Sequence, residues 1–151
     1  MNLISKILTP ECVLLDSESA SKKRVFERVG ILFENTQNIS RSQVFDSLFA
    51  REKLGSTGLG QGVAIPHGRV KGLRDAVAAF VKMQNPIPFD APDNLPVNFI
   101  FVLLVPERAT ELHLQLLGEL AQMFSDKSFR EKIQATDDPL AIHSLFAEWQ
   151  A

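Results

Sequence analysis

The stretch VNFIFVLLV, Val97 to Val105, constrains the fold of this chain more than any other segment. Only Asn98 interrupts the apolar run, so the alternation of apolar and polar side chains that marks a half-exposed strand is missing. An apolar run of this kind is typical of a strand that is buried on both faces. The sequence therefore predicts a sheet with other elements packed on each side of this strand.

The rest of the chain alternates between strand-like and helical patterns. The run DAVAAFV, Asp75 to Val81, is typical of a strand. A chain of 151 residues is long enough for one core and too short for two comfortable domains. We expect a single α/β domain over residues 1–151, with helices on a mixed or parallel sheet. Apolar residues recur at helical spacing in five segments, which fall within residues 25–33, 44–49, 117–124, 129–133 and 142–149.

Local signals predict where some elements end. Ser40 and Gln43 have the spacing of a capping box at the start of the second helix, and Gly55 is expected to close its end in the left-handed region. Arg51 then lies in the last turn of that helix. Residues 84–96, QNPIPFDAPDNLP, carry four prolines and are expected to form a connection between the two strands.

Composition argues against several classes of protein. The formal net charge of -2 and the pI near 5.9 provide no basic surface for a nucleic acid. No apolar run approaches the length of a membrane span, and the N-terminus lacks the apolar core of a signal peptide. The single cysteine, Cys12, cannot form an internal disulfide and is expected to be a small core residue. We therefore expect a cytoplasmic protein without nucleic-acid partners or membrane insertion.

The stretch GSTGLGQGVAIPHGR, residues 55–69, concentrates glycine before a histidine. Such loops let backbone N–H groups approach an oxyanion closely, and this one leads to His67. Neither the Walker order nor G-x-G-x-x-G is present, so nucleotide binding is not indicated. The residues alone leave an anion-binding loop and a turn-rich connector as alternatives. The loop residues considered are Gly55, Ser56, Thr57, Gly58, Gly60, Gly62 and Gly68.

Other candidate residues have a functional and a structural interpretation. His113 lies near a helix start on the stripe of Leu117 and Leu120, either as a hydrogen-bonded core residue or beside a bound phosphate. Arg51 at a helix end caps carbonyls, pairs with a carboxylate or faces an anion. The third histidine, His143, lies off the apolar stripe of its helix and is expected at the surface. Because no H-x-x-x-H or C-x-x-C pair is present, we expect no metal and no cofactor.

Three segments, taken in order, carry a resemblance to a known family. They are REKLGSTGLGQGVAIPHG, PIPFDAPDNLPVNFIFVLLVP and the helix with ELHLQLLGELAQMFSD. Together they resemble the IIA proteins of the phosphoenolpyruvate:sugar phosphotransferase system, in the fructose/mannitol class. GSTG with FDAPDNLPV, without a fused carrier or membrane domain, most resembles the nitrogen-regulatory branch, EIIA-Ntr. The resemblance implies an α/β sandwich with a mixed sheet of about five strands, flanked by helices on both faces.

The resemblance also implies roles for three residues. His67, in IPHG, is the phosphoryl acceptor, with Nε2 as the attacking atom and tele-phosphohistidine as the product. His113, at the start of its helix, supports the phosphoryl group, and Arg51 stabilises its charge. A neutral imidazole attacks through the ring nitrogen that lacks a proton, so this chemistry needs no metal.

Three hypotheses for the function follow. In the first, the chain is a regulatory component of the phosphotransferase system. It accepts a phosphoryl group from a phosphohistidine carrier protein (HPr or NPr) and controls partners such as sensor kinases or potassium transport systems. In the second, it passes the phosphoryl group to a fructose/mannitol-type IIB domain for sugar transport. In the third, it is an anion-binding module that is never phosphorylated. One core accounts for the apolar residues, so we expect a monomer or weak dimer.

Overall fold

The computed structural model describes residues 2–108 and 110–151 of the chain. The strands are β1 (Val13–Asp16), β2 (Gly58–Gly60), β3 (Val63–Ala64), β4 (His67–Val70), β5 (Val77–Ile87) and β6 (Val97–Pro106). The helices are α1 (Lys22–Gln37), α2 (Arg41–Glu52), α3 (Thr110–Ser125), α4 (Lys127–Gln134) and α5 (Pro139–Glu148). All five predicted helices are therefore present. Within the residues described, no helix has both the length and the apolar character that a membrane span needs.

The six strands form one mixed sheet in the spatial order β1-β5-β6-β3-β2, with β4 also paired to β6. β1 is parallel to β5, and β3 and β4 are parallel to β6, whereas the pairs β5–β6 and β2–β3 are antiparallel. β3 and β4 follow one another along β6, where Val63 pairs with Phe99 and His67 with Leu103. The expected mixed sheet is confirmed. It has six strands rather than about five because the strand along β6 is interrupted near Pro66, which has no N–H to donate.

β6 is the predicted strand with two buried faces, and its residues 99–105 are at most 3% exposed. On one face, five phenylalanines of β5, β6, α3, α4 and α5 pack together, with ring centroids 4.9 Å apart for Phe80 and Phe146. On the other face lie α1 and α2, whose Phe26 and Phe49 rings are 5.2 Å apart. The expected arrangement of helices on both faces of the sheet is therefore confirmed.

The start of α2 differs from the predicted capping box. Ser40 precedes the helix, but its side chain accepts no backbone N–H. The N–H of Arg41 donates instead to the carboxylate of Glu34 in α1 at 3.0 Å, and the Arg41 guanidinium binds the same carboxylate. Gln43 donates to a carbonyl of the loop after β4. A carboxylate from the neighbouring helix thus replaces the local cap, and sequence spacing cannot reveal such a partner.

Two other element ends also differ from the predictions. α2 ends at Glu52, and Gly55 has a φ of +153°, which is not the left-handed helical cap that was expected. β5 continues to Ile87, so residues 84–87 of the predicted connection belong to the strand. The pairing of β5 with β6 shifts register in this part, and the exposed Pro86 therefore fits in the strand although it lacks a ladder N–H.

The N-terminal segment packs against α5. His143 is half-buried and its Nε2–H donates to the Leu8 carbonyl at 2.7 Å, so the prediction of a solvated surface residue was wrong. Spacing along a helix assigns a side chain to a face, but it does not show which segment covers that face. The Asn2 side chain also donates to two carbonyls at the end of α5. Cys12 is fully buried, as predicted.

Candidate functional site

The structure brings two of the three histidines together. His67 is the first residue of β4, and His113 lies in the first turns of α3, which follows β6 in the chain. Their ring centroids are 5.1 Å apart and the rings meet edge to face at 64°. Because β4 pairs with β6, the chain after β6 returns to the strand that carries His67. The sheet pairing therefore brings together two side chains that are 46 positions apart in the sequence.

The backbone determines the tautomer of His67. Its Nδ1 lies 2.8 Å from the carbonyl oxygen of Ile65. Since a carbonyl only accepts, Nδ1 carries the proton and Nε2 of the neutral ring keeps its lone pair. Burial lowers the pKa of His67 below its ordinary value, and the charge of Arg51 acts in the same direction against the Ile65 hydrogen bond and Glu52. The neutral ring, with a nucleophilic Nε2, is therefore favoured.

His113 has a buried nitrogen without a partner. Among the residues that the structure describes, its Nε2 is one of two buried side-chain polar atoms that make no hydrogen bond. Burial lowers the pKa of His113, and the nearby charges of His67, Arg69 and Arg51 lower it further. A core histidine is normally hydrogen-bonded, so the structural interpretation of His113 loses its main support. The functional interpretation, in which His113 lies beside a bound phosphate, would give this nitrogen a partner.

Arg51 bonds to a backbone carbonyl, which is the structural role considered for it. It lies in the last turn of α2, as predicted, and its Nη1 donates to the Gly55 carbonyl at 2.9 Å. This bond ties the end of the helix to the loop that follows. The charge of Arg51 also lowers the pKa of both His67 and His113.

Arg69 was missed in the sequence analysis. It lies two residues after His67 in β4, so both side chains project from the same face of the strand. Its Nη1 donates to the Glu107 carbonyl at 2.9 Å, in the segment that joins β6 to α3. Its charge also lowers the pKa of His113. The alternation of side chains would have identified this arginine if residues 67–70 had been predicted as a strand.

The polar groups of the first half of the glycine-rich loop are bonded within the protein. Ser56 Oγ donates to the Phe89 carbonyl at 2.6 Å and accepts the N–H of Gly58 at 3.1 Å. The N–H and hydroxyl of Thr57 both donate to the carboxylate of Glu52, at 3.0 and 2.7 Å. These donors hold the loop in place, as a connector would.

The remaining glycines have separate structural roles. Gly60 and Gly62 flank the turn between β2 and β3, and the register of β3 and β4 on β6 puts this turn about 13 Å or more from His67. A Cβ on Gly68 would collide with Ser47 of α2, including its backbone oxygen at 3.1 Å. Gly68 is therefore needed for the close approach of α2 to β4. Within residues 2–108 and 110–151, no three His, Cys, Asp or Glu side chains form a cluster that could hold a metal ion.

The geometry is that of a basic, partly buried site around two neutral imidazoles, and comparison with known proteins identifies its family. A family model described as "Phosphoenolpyruvate-dependent sugar phosphotransferase system, EIIA 2" matches residues 6–149. The chain therefore belongs to this EIIA family of the phosphotransferase system.

Within this family, the chain is more similar to nitrogen regulatory proteins than to a fructose-specific EIIA component. The chain is 38% identical to the nitrogen regulatory protein of Pseudomonas aeruginosa over 148 residues, which cover 97% of this chain and 96% of that protein. It is 37% identical to the nitrogen regulatory protein of Escherichia coli (strain K12), over 96% of this chain and 90% of that protein. It is 30% identical to the fructose-specific EIIA component of Haloferax volcanii, over 96% of this chain and 95% of that protein.

Solved structures agree with the sequence relatives. The crystal structure of the nitrogen regulatory protein IIA-Ntr from Neisseria meningitidis superposes with a TM-score of 0.90 at 51% identity, covering 95% of this chain and 99% of that one. Enzyme IIAMTL of Escherichia coli, solved in its complex with phosphorylated enzyme IIBMTL, superposes with a TM-score of 0.76 at 19% identity. The match covers 95% of this chain and 100% of that one, so the two proteins share the fold. The predicted resemblance to nitrogen-regulatory IIA proteins is confirmed.

Proposed function

We propose that this chain is a regulatory phosphocarrier, which accepts a phosphoryl group on Nε2 of His67. The observation that carries the proposal is the His67–His113 pair, with rings 5.1 Å apart and Nδ1 of His67 bonded to the Ile65 carbonyl. That bond leaves Nε2 of His67 as the nucleophile. His113, which has a buried nitrogen without a partner, supports the phosphoryl group, and Arg51 stabilises its charge.

The transfer requires little more than positioning and charge stabilisation. The lone pair of His67 Nε2 forms the new N–P bond while the N–P bond of the donor breaks and its electron pair returns to the donor ring. The phosphorylated ring of His67 then keeps its Nδ1–H and gains positive charge. The Ile65 carbonyl, which accepts that Nδ1–H, stabilises this charge. No metal or cofactor is needed in this step.

A protein donor fits the surroundings of the two histidines. Leu112 and Leu114 flank His113 in the chain and are 37% and 67% exposed, and Leu54, three residues after Arg51, is 84% exposed. Exposed apolar side chains contribute to the cores of protein interfaces, where arginine is enriched although most other charged residues are depleted. We therefore propose a phosphohistidine carrier protein, HPr or NPr, as the donor, and a cytoplasmic location where such carriers act.

The regulatory role rests on the names of the relatives and on charge. The Pseudomonas aeruginosa and Escherichia coli relatives, to which the chain is 38% and 37% identical, are both named nitrogen regulatory protein. A phosphoryl group adds about -1.5 to -2 charges and several acceptor oxygens to a surface, which changes what that surface binds. We propose that phosphorylated and unphosphorylated forms bind targets differently, with sensor kinases and potassium transport systems as the targets that the resemblance implies.

A transport role is the second candidate. It is favoured by the relative named as a fructose-specific EIIA component and by the fold shared with enzyme IIAMTL, which was solved with phosphorylated enzyme IIBMTL. In that role, a purified IIB domain would quickly remove the phosphoryl group from His67. In the regulatory role, the phosphorylated form persists when a purified IIB domain is added.

The experiment is intact-mass spectrometry after incubation with phosphoenolpyruvate, enzyme I and the histidine carrier protein. We expect one acid-labile phosphoryl adduct on the native chain and none on His67→Ala. His143→Ala is the matched control, because it also removes a histidine but one that bonds to the Leu8 carbonyl away from the site. An adduct that persists in His67→Ala would contradict the assigned acceptor. Absence of any adduct, with carriers shown to be active, would favour the anion-binding module.

A further inference from the structure

A buried carboxylate lies directly after Arg51. Glu52 is the last residue of α2 and is only 9% exposed, although buried carboxylates are unfavourable unless they are paired and hydrogen-bonded. Its Oε2 accepts from Lys22 Nζ at 2.8 Å and from the N–H of Thr57 at 3.0 Å. Its Oε1 accepts from the Thr57 hydroxyl at 2.7 Å. Glu52 therefore holds the threonine of the GSTG segment by two bonds.

Hydrogen bonds continue from this carboxylate to the histidine ring. The Thr57 carbonyl accepts the N–H of Ile65 at 3.0 Å, and the Ile65 carbonyl accepts the Nδ1–H of His67 at 2.8 Å. The path from Glu52 to His67 thus runs through Thr57 and Ile65 without a gap. Each step is a backbone or side-chain bond of ordinary length.

We propose that Glu52, anchored by Lys22, is a positioning residue for His67. By fixing Thr57 it fixes the Ile65 carbonyl, and that carbonyl selects the tautomer with Nδ1–H and a free Nε2. The role rests on the proposed function, because a free Nε2 matters only if it accepts the phosphoryl group.

The charges around His67 come from several elements. Arg51 and Glu52 lie on α2, His113 on α3, and Arg69 on β4 itself. The charge of Glu52 favours the protonated ring and acts against burial and Arg51, so it raises the pKa of His67. The same charge stabilises the positive ring that forms on phosphorylation. Glu52 therefore has an electrostatic consequence at His67 as well as a geometric one.

The Lys22 ammonium makes two further contacts besides the one with Glu52. It lies 4.5 Å from the centre of the Phe89 ring and 3.8 Å from the exposed carboxylate of Asp90. Its own side chain is 18% exposed, and that of Glu52 is 4% exposed. The pair is thus largely shielded from solvent, where ion pairs keep more of their strength. Lys22 sits at the first turn of α1, so the path to His67 joins α1 and α2 to the loop and β4.

The decisive variant is Glu52→Gln, which keeps the shape but replaces one carboxylate oxygen with an NH2 group that cannot accept. The readout is the imidazole 15N and 1H spectrum of His67 in the unphosphorylated chain, titrated against pH. We expect a mixture of tautomers and a lower pKa than in the native chain. The initial phosphorylation rate should fall by about tenfold or more. Glu34→Gln, which removes an exposed carboxylate paired with Arg41, should leave both readouts unchanged.

A second variant keeps the proposal falsifiable if Glu52→Gln does not fold. Thr57→Val removes the hydroxyl bond to Glu52 but keeps the N–H bond and the carbonyl bond to Ile65, so we expect a smaller change of the same sign. A native tautomer ratio, pKa and rate in folded Glu52→Gln, or in Thr57→Val if the first is unfolded, would overturn the proposal. The spectra do not require phosphorylation. Failure of the native chain to accept phosphate would therefore contradict the proposed function alone.

Discussion

At the scale of single residues, the site depends on the protonation of two imidazoles. His67 presents Nε2 because the Ile65 carbonyl occupies Nδ1, and burial keeps the ring neutral. His113 also has a lowered pKa, mainly because of burial. If both rings were protonated, they would add two cations to the charges of Arg51 and Arg69, which already lower the pKa of His113. With both imidazoles neutral, the remaining cations are the two arginines, which keep their charge at neutral pH.

The pH dependence of the phosphorylation rate should reflect the lowered pKa of His67. Only the neutral ring attacks, so the rate rises with pH through that pKa and is constant above it. Because burial and Arg51 lower the pKa, the rate should reach half of its maximum at a pH below about 6.5, the ordinary value for histidine. Single-turnover rates at subsaturating donor would measure this profile, because they report the pKa of the free chain.

One variant tests the direction in which the charge of Arg51 shifts the pKa of His67. Arg51→Gln removes a positive charge that disfavours the protonated ring, so the inflection should move to higher pH than in the native chain, and the rate above it should also be lower. An inflection of the native chain above about pH 6.5 would contradict the burial argument. The same donor preparation serves for both chains, so its own titration cancels in the comparison.

His113→Ala should slow phosphorylation rather than abolish it. Loss of one donor to a developing oxyanion costs roughly 100-fold in rate, while the acceptor His67 remains. Since His113 Nε2 makes no hydrogen bond in the described structure, the variant should unfold at nearly the native denaturant concentration. Rapid-quench kinetics and urea unfolding would measure the two effects. A native rate in this variant would remove His113 from the site.

At the scale of elements, the site is built where α2 lies across β4. Ser47 Oγ donates to the Arg69 carbonyl at 2.8 Å and Gln43 donates to the Lys71 carbonyl at 2.8 Å. These bonds satisfy carbonyls on the side of β4 that pairs with no other strand in the described residues. The same helix carries Arg51 in its last turn, and the charge of Arg51 lowers the pKa of His67. The helix therefore closes the sheet edge and supplies a charged side chain to the site.

Gly68→Ala should destabilise the chain by about 1–3 kcal/mol. The added Cβ would lie 3.1 Å from the Ser47 backbone oxygen, which can move away only if α2 moves. Gly118→Ala in α3 is the matched control. Nothing lies within 4 Å of its added Cβ, and alanine is favoured over glycine in a helix, so this change should stabilise by about 0.5–1 kcal/mol. Urea unfolding measures both, and equal stabilities would contradict the packing argument.

At the scale of the whole molecule, one aromatic cluster joins the sheet to the three C-terminal helices. The ring of Phe146 in α5 lies 4.9 Å from Phe80, 5.5 Å from Phe101, 5.9 Å from Phe124 and 5.2 Å from Phe129. These residues come from β5, β6, α3 and α4 as well as α5. The cluster therefore links every C-terminal helix to the two central strands, and unfolding should be a single cooperative transition.

Phe146→Ala should cost about 3–5 kcal/mol of unfolding free energy, since it removes a fully buried ring from the centre of that cluster. His67 lies outside this cluster, so below the unfolding transition the phosphorylation rate should be close to native. Chemical denaturation and the mass-spectrometric assay would measure stability and function separately. A loss below about 1 kcal/mol would mean that the neighbouring rings refill the space.

The sequence by itself determined the helices, the doubly buried strand β6 and the identity of His67, His113 and Arg51 as candidates. Apolar periodicity and motif spacing are local, so they are readable without the fold. The tertiary structure alone decided that Glu34 caps α2, that Arg69 shares a face with His67, and that Glu52 reaches Thr57. The short strands β1 to β4 were also missed, since two to four residues show no period. Their pairing with β5 and β6 depends on contacts between distant segments, which no local pattern records.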